Sequence, residues 1–335
     1  MVSVSDIDWD SWRAHDVATL MFVIRNGEAL LIRKLRGLGA GKINAPGGRL
    51  EPGESPVDAA IRETREEVGV TPLEPRYRGR LRFSFVKTPN EVAPTREIGY
   101  RLECHVFSSD AFEGEVRESP EAIPMWVPLH AMPYDEMWAD DRLWLPLMLS
   151  GRTPFEGRFV FDGEAMLDVL LEHRDPASPL FAKLDELGLA HETHTHPPVF
   201  TVEEARRHRP AGAHGLHTKN LFLRNKKGKM WLVTLEEERP VDLKALGQML
   251  GAGNLSFASY QRLRTHLGVE PGSVTPLAIL NDLGHEVTLV LDQALAEADK
   301  VWCHPLTNDR ATGLSGPDLV RFATTLGHPP ILISL

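Results

Sequence analysis

Two cysteines, Cys104 and Cys303, are the only thiols in this 335-residue chain, and they stand far apart. A disulfide framework is therefore not expected, and a reducing cytoplasm fits. Long apolar runs are missing too. None approaches the roughly 20 residues that span a bilayer, so no membrane contact is expected. The first residues, MVSVSDIDWDSW, are acidic and lack the basic and apolar regions of a signal peptide. There is no excess of positive charge: the formal net charge is -10, which taken alone argues against nucleic acid. No internal repeat is visible. What is present is ordinary for a soluble globular protein, 42% apolar and 25% charged residues. The length exceeds what one core usually serves, so two domains are expected.

The distribution of charge qualifies the first impression. Up to Asp175 there are 21 Lys and Arg against 30 Asp and Glu; beyond it there are 16 against 17. The second half thus has no acidic barrier to a polyanion. Its basic residues gather as Arg206, Arg207 and Arg209, then Arg224, Lys226, Lys227 and Lys229. Such clusters suit phosphate, although solvated charges on a helix and a hairpin loop would look the same.

Val17 to Ile24 and Ala29 to Arg33 are apolar runs separated by Asn26-Gly27, the pattern of a tight β-hairpin. Leu81, Phe83 and Phe85, and again Leu102, Cys104 and Val106, alternate with polar residues as half-buried strands do. Residues 87–99 read as a loop. Phe159 to Phe161 and Ala165 to Leu171, about Asp162-Gly163, predict a second hairpin, with a helix over 165–171 as the alternative. Arg174 to Pro179 is poor in apolar residues and holds two prolines, so it is read as a linker between domains 1–173 and 180–335. In the second domain, Thr201 and Glu204 make a capping box. Residues 220–223 and 230–234 pair about a Lys/Gly turn, and helices are expected near 181–187, 243–250 and 319–326. Strands and helices without a βαβ rhythm indicate an α+β fold there.

One helix carries chemistry in its spacing. Ser55 and Pro56 open it and Gly69 closes it. Between them Glu63, Glu66 and Glu67 fall on one face. Three like charges repel one another unless neutralised, and a hard divalent cation with oxygen ligands, Mg2+ or Mn2+, would do so. A solvated acidic face is the plain alternative.

Gly48, Glu54, Arg62, Glu63, Glu66, Glu67, Gly69 and Val70 together resemble the Nudix box, with Thr64 in place of an aliphatic residue. The resemblance implies an α/β/α sandwich with a mixed sheet and hydrolysis of a nucleoside diphosphate derivative. It also implies metal held by Glu63, Glu66, Glu67 and the Gly48 backbone, with Glu54 and Arg62 supporting the loop and helix. Lys34 to Gly48 and Glu136 to Leu147 resemble the oxidised-purine nucleoside triphosphatase branch, which hydrolyses 8-oxo-dGTP to monophosphate and pyrophosphate. That resemblance implies stacking of the purine on Trp138 and hydrogen bonds to its edge from Asn44, Asp140 and Asp141. It places Thr19 and Lys34 nearby and Glu121 at the metal site. Leu38 stands where that branch has an aromatic residue, and residues 87–99 are an insertion.

From about Pro179 onward the chain resembles the YbaK/ProX-type editing domain, which removes alanine from mischarged tRNA(Pro). The motifs are HPPVFTVEEA from His196, KNLFLRNKKG from Lys219, LSFAS from Leu255, PGSVTPLAILND from Pro271 and CHPLTNDRATGLS from Cys303. By this resemblance Lys219 contacts the aminoacylated 3′ end, with Asn220 beside it. Gly272 and Pro276 form the loop that closes the aminoacyl pocket, His304 lies at the pocket, and Arg224 is expected to touch the tRNA. A positioned water is expected to attack, without a covalent acyl-enzyme. His191, His194 and His196 suit an extended segment before Pro197-Pro198, and with no partnering carboxylate or Cys motif evident zinc is not expected there.

The reading is a bifunctional hydrolase acting on a nucleoside triphosphate and on mischarged tRNA(Pro). Two alternatives stand beside it: a catalytically silent Nudix module that senses nucleotides and regulates or anchors the editing domain, and an editing domain that only binds RNA. Oligomeric state is not legible.

Overall fold

Asn26 and Gly27 both take left-handed backbone angles, with φ of 53° and 78°. That is what a two-residue hairpin turn requires. They join strand β1 (Asp16–Arg25) to β2 (Glu28–Lys34) in antiparallel pairing. The computed structural model describes residues 2–87, 97–199, 201–209 and 214–334. The chain forms two compact units, Met1–Arg174 and Asp175–Leu335.

In the first unit β3 (Ile43–Asn44) leads to helix α1 (Pro56–Val68), followed by β4 (Val70–Leu73), β5 (Arg76–Lys87), β6 (Glu97–Ser109), β7 (Ala111–Gly114) and β8 (Ala122–Pro128). Helix α2 (Asp141–Leu149) precedes the hairpin β9 (Phe155–Asp162) and β10 (Ala165–His173). Residues 165–171 are therefore strand, not helix. The main sheet runs β10-β9-β5-β6-β1-β2-β3 with β8 beside β2. It is mixed: β1 runs parallel to β6 and β5 to β9, while the other pairs are antiparallel. Helix α1 packs Ala60 and Val68 on Met21, Val23 and Ile32 of one face. Trp144 of α2 packs edge-on against Phe22, 5.9 Å away, and beside Phe155. Helices on both faces make the α/β/α sandwich. The loop expected over 87–99 is shorter at its ends, since Lys87 closes β5 and Glu97 opens β6. Residues 88–96 lie outside the described residues.

The second unit begins inside the stretch read as a linker. Asp175 accepts from Arg310 Nη1 at 2.9 Å, Ala177 is buried, and α3 (Ser178–Glu186) starts within it. Pro179 sits in the first turn of that helix, where proline is tolerated, and Pro176 lies just ahead of it. Then come β11 (Glu192–Thr195), α4 (Val202–Arg207), β12 (Leu216–Asn225), β13 (Met230–Glu236), α5 (Leu243–Met249), β14 (Leu255–Phe257) and α6 (Tyr260–Arg262). The unit ends with β15 (Val287–Asp292), α7 (Gln293–Glu297), β16 (Val301–Cys303), β17 (Arg310–Leu314), α8 (Gly316–Thr325) and β18 (Ile331–Ile333). Its sheet runs β11-β17-β16-β12-β13-β15-β18, with β14 on β12. Leu180, Leu232, Leu289 and Phe322 share one buried core beneath it. Strand β12 thus lies next to β16, some 80 residues later in sequence, and that adjacency builds the second site.

Candidate active sites

Helix α1 is capped as its sequence indicates: the Ser55 hydroxyl accepts from the Asp58 N–H, and Gly69 ends the helix in the left-handed conformation. Thr64 is fully buried, and its hydroxyl donates to the Ala60 carbonyl at 2.6 Å. The departure from an aliphatic residue is thus absorbed inside the helix. Arg62 stands among the carboxylates. It donates to Glu54 at 2.8 Å, to Glu63 at 2.9 Å, to Glu66 at 3.1 Å and to the Arg49 carbonyl at 3.1 Å. Its hydrogen bond holds the Glu54 carboxyl down at about 2. Glu67 is only 4% exposed; it accepts from the Gly47 N–H at 2.9 Å, with the Lys34 ammonium 3.9 Å away. Burial pushes its carboxyl up to about 7. Glu121 is paired with Arg36.

Gly48 serves by its lack of a side chain, for a Cβ there would lie 2.3 Å from Cδ of Glu63. Its carbonyl accepts the Thr19 N–H at 2.8 Å. Among the described residues, no three His, Cys, Asp or Glu side chains gather as a metal site. Arg62, Lys34 and Arg36 pair with these carboxylates and offset part of their charge. An all-oxygen donor set with this surplus of negative charge still has the chemistry of a hard divalent cation site.

Glu63, Glu67 and Glu121 line a cavity of about 580 Å³ that also reaches Trp138, Asp140 and Asp141. Glu66, 55% exposed, is not on its wall. Asp140 accepts from the Trp144 indole N–H at 2.9 Å, and Asp141 from the Trp138 backbone N–H at 2.9 Å. Burial lifts both carboxyls above their ordinary range, and the charge of Asp140 lifts Asp141 further. Asn44 turns its side-chain oxygen to the Ala45 N–H, and the buried Thr19 hydroxyl has no protein partner. Lys34, Asn44 and Thr19 all line the same cavity.

Nothing in the sequence singles out Lys42. It lies 5.0 Å over the Trp138 ring and pairs with Glu164 at 3.1 Å. Phe83, Phe85 and Phe161 form an aromatic wall whose only trace in the sequence is strand alternation. Leu38 is on the rim and exposed.

The second cavity, about 250 Å³, brings Lys219 and Asn220 of β12 to Gly272, Trp302 and His304. Gly272 has φ +86°, a left-handed turn that favours glycine. The Lys219 ammonium donates to the Arg239 carbonyl, and Arg239 pairs with the buried Asp292. His304 Nδ1 is 2.9 Å from the Arg310 carbonyl. His194, His196, His208 and His217 join the wall. Burial lowers His196 and His304, and burial followed by the Arg209 charge takes His217 down to about 4. Pro276 opens a buried 3-10 turn, and Arg224 lies five residues along β12 from Lys219; neither lines the cavity. His191 stacks on Phe181 instead. Cys104 and Cys303 each line a cavity, but burial pushes both thiols up, so neither is poised as a nucleophile.

The NUDIX domain family model matches residues 14–148, and the aminoacyl-tRNA editing domain model matches residues 196–322. An oxidized purine nucleoside triphosphate hydrolase of Danio rerio is 39% identical over 156 residues, 47% of this chain and 91% of that protein. The prolyl-tRNA synthetase associated domain-containing protein 1 of Bos taurus is 42% identical over 157 residues, 45% of this chain and 91% of that protein. The prolyl-tRNA editing protein ProX of Acetoanaerobium sticklandii is 36% identical over 155 residues, 46% of this chain and 94% of that protein. The chain belongs to the Nudix and the aminoacyl-tRNA editing families. Its Nudix domain and its editing domain are both hydrolases. The Glu-rich helix and the 580 Å³ cavity belong to the Nudix domain, and the histidine-lined cavity to the editing domain. Among the described residues no helix is long and apolar enough to cross a membrane.

Proposed function

We propose that the Nudix domain converts purine nucleoside triphosphates, oxidised ones such as 8-oxo-dGTP foremost, to the monophosphate and pyrophosphate. The buried Asp140 and Asp141 carboxyls, sharing one cavity with the Trp138 ring, carry this reading. With both lifted by burial, the pair can present a donor and an acceptor together, which suits an oxidised purine edge. Trp138 offers the stacking face, and the unpartnered Thr19 hydroxyl and the Asn44 amide supply further polar contacts. Glu63, Glu66 and Glu67, with Glu121, are the residues that would hold Mg2+ or Mn2+, which supplies positive charge to the phosphates and acidifies water. Lys34 offers a cation to the phosphate chain from the same wall. Pyrophosphate release from 8-oxo-dGTP, dGTP, 2-hydroxy-dATP and ADP-ribose tests this. Wild type is expected to prefer the oxidised purines and Glu66→Gln to lose at least a hundredfold in rate, about 2.7 kcal/mol or more of barrier. Preference for ADP-ribose would discard the purine pocket. Silence toward all four would favour a nucleotide-sensing module.

We further propose that the editing domain removes alanine from tRNA(Pro). The cavity that brings Lys219 and Asn220 to Gly272 and His304 carries that reading. A proline site cannot strongly reject a smaller amino acid by binding alone, since a missing methylene is worth only about 1–3 kcal/mol. A second site sized for alanine can then discriminate. Lys219 and Asn220 hold the 3′ end, Pro276 and Gly272 shape the pocket loop, and His304 lies beside the ester. The lowered histidines stay neutral near pH 7, able to accept a proton from water. Deacylation of Ala-tRNA(Pro) over Pro-tRNA(Pro) is expected in wild type, collapsing in Lys219→Ala while tRNA binding persists. Equal deacylation by that variant would remove Lys219 from the site.

A further inference from the structure

The two basic clusters of the editing domain have different fates. Arg206 pairs with Glu237 at 3.1 Å and Glu238 at 2.9 Å, Arg207 with Glu203 at 2.8 Å, and Arg209 with Glu237. That cluster is spent on its own carboxylates. Arg224, Lys226, Lys227 and Lys229 at the β12–β13 turn have no carboxylate partner among the described residues. Four such cations are conspicuous in a chain of net charge -10. Beside them runs the edge strand β14, whose Leu255 is opposite Asn225 and whose Phe257 is opposite Leu223. Phe257 is 64% exposed although Leu223 is fully buried. Pairing and strand alternation put Phe257 and Lys229 on one face of this ladder, with Lys226 and Lys227 at its tip.

We infer that this hairpin tip and β14 form a docking surface for the substrate tRNA, with Phe257 stacking on an unpaired base and the lysines taking neighbouring phosphates. Lys229 lies 5.4 Å over the Trp231 ring, and an exposed aromatic face next to cations that no carboxylate holds is the arrangement that holds single-stranded nucleic acid. The placement fits as well. Lys219 lies on β12 four residues before Leu223, about 13 Å along the strand at roughly 3.3 Å per residue. A substrate whose last nucleotide is at Lys219 therefore brings upstream nucleotides within reach of Phe257. An acidic peptide would satisfy the lysines but leaves the aromatic face and its distance from Lys219 without a purpose.

The inference rests on the tRNA deacylase reading of this domain. The test uses the full chain, uncharged tRNA(Pro) binding across a salt series, and steady-state deacylation of Ala-tRNA(Pro). Lys226→Ala with Lys227→Ala is expected to reduce the slope of log affinity against log salt by about 1.4–2. Phe257→Ala is expected to weaken binding roughly fivefold or more, and Phe257→Trp to restore it. In deacylation these losses should fall on KM, with kcat kept. Wild-type affinity and salt slope in both variants, alongside normal deacylation, would overturn the docking surface and leave the editing reading intact. Loss of kcat in Phe257→Ala without loss of binding would also overturn it. A wild-type chain that neither binds nor deacylates the tRNA would bring down both.

Discussion

Asp140 and Asp141 show how burial changes the proton a carboxyl holds. Both are nearly inaccessible, and each is held by one donor from the Trp138 to Trp144 segment. Because burial raises both carboxyls, the folded chain keeps protons that the unfolded chain releases above its ordinary value near 4. Their contribution to stability is therefore greatest at acid pH and is lost as pH rises toward the raised folded values. Glu67, raised to about 7, acts with the same sign. Asp141→Asn keeps an oxygen for the Trp138 N–H and removes one of the charges. Its melting temperature is expected to fall less than that of wild type between about pH 5 and pH 8. Parallel melting curves against pH would show that Asp141 is not held protonated. The variant should also lose preference for oxidised purines before it loses pyrophosphate release.

At the scale of elements, strand β15 does more than fill the sheet. Its last residue, Asp292, is 1% exposed. One oxygen takes Arg239 and the Glu236 N–H, and the other caps α7 through the Ala294 N–H at 3.0 Å. The Arg239 carbonyl in turn receives Lys219. A strand end, a helix cap and a loop thus converge behind one lysine. Asp292→Ala is expected to destabilise the editing domain by about 3 kcal/mol or more, because the Arg239 charge loses its buried partner. Asp292→Asn keeps the cap and the fold better, and should lower deacylation about tenfold with tRNA affinity maintained. An unchanged kcat in Asp292→Asn would mean that Lys219 is held independently of this chain of contacts. Helix α1 shows a comparable convergence, since Arg62 bridges three carboxylates from one position while also fastening the Arg49 backbone.

Across the whole molecule, each unit has its own sheet and its own buried cluster. Fragments 1–174 and 175–335 are accordingly expected to fold separately, each with a cooperative melting transition. Glu66→Gln should abolish pyrophosphate release and spare deacylation, with Lys219→Ala doing the reverse. A fragment that fails to fold, or a variant that silences both reactions, would show that the units depend on each other.

Much of this protein is legible from sequence because the responsible interactions are local. Ser55, Pro56 and Gly69 delimit α1 through their own backbone preferences, and 3.6-residue periodicity puts Glu63, Glu66 and Glu67 on one face. Asn26-Gly27 likewise makes its turn without outside help. Other features depend on neighbours distant in sequence. The β5–β9 pairing puts Phe83 and Phe85 beside Phe161, and β12 beside β16 carries Lys219 to Trp302 and His304. The stretch at 174–179 reads as a linker because composition cannot reveal that Asp175 meets Arg310. Nor can charge counts distinguish the arginines of α4, held by carboxylates, from the lysines near Phe257, which have no carboxylate partner among the described residues. Sequence by itself determined the bounds of α1, the Asn26-Gly27 turn and the motif spacings, which short-range sterics and periodicity control. Tertiary structure decided which charges are neutralised, which carboxyls are dehydrated and which ring stays exposed, because those depend on what the sheet order brings alongside them.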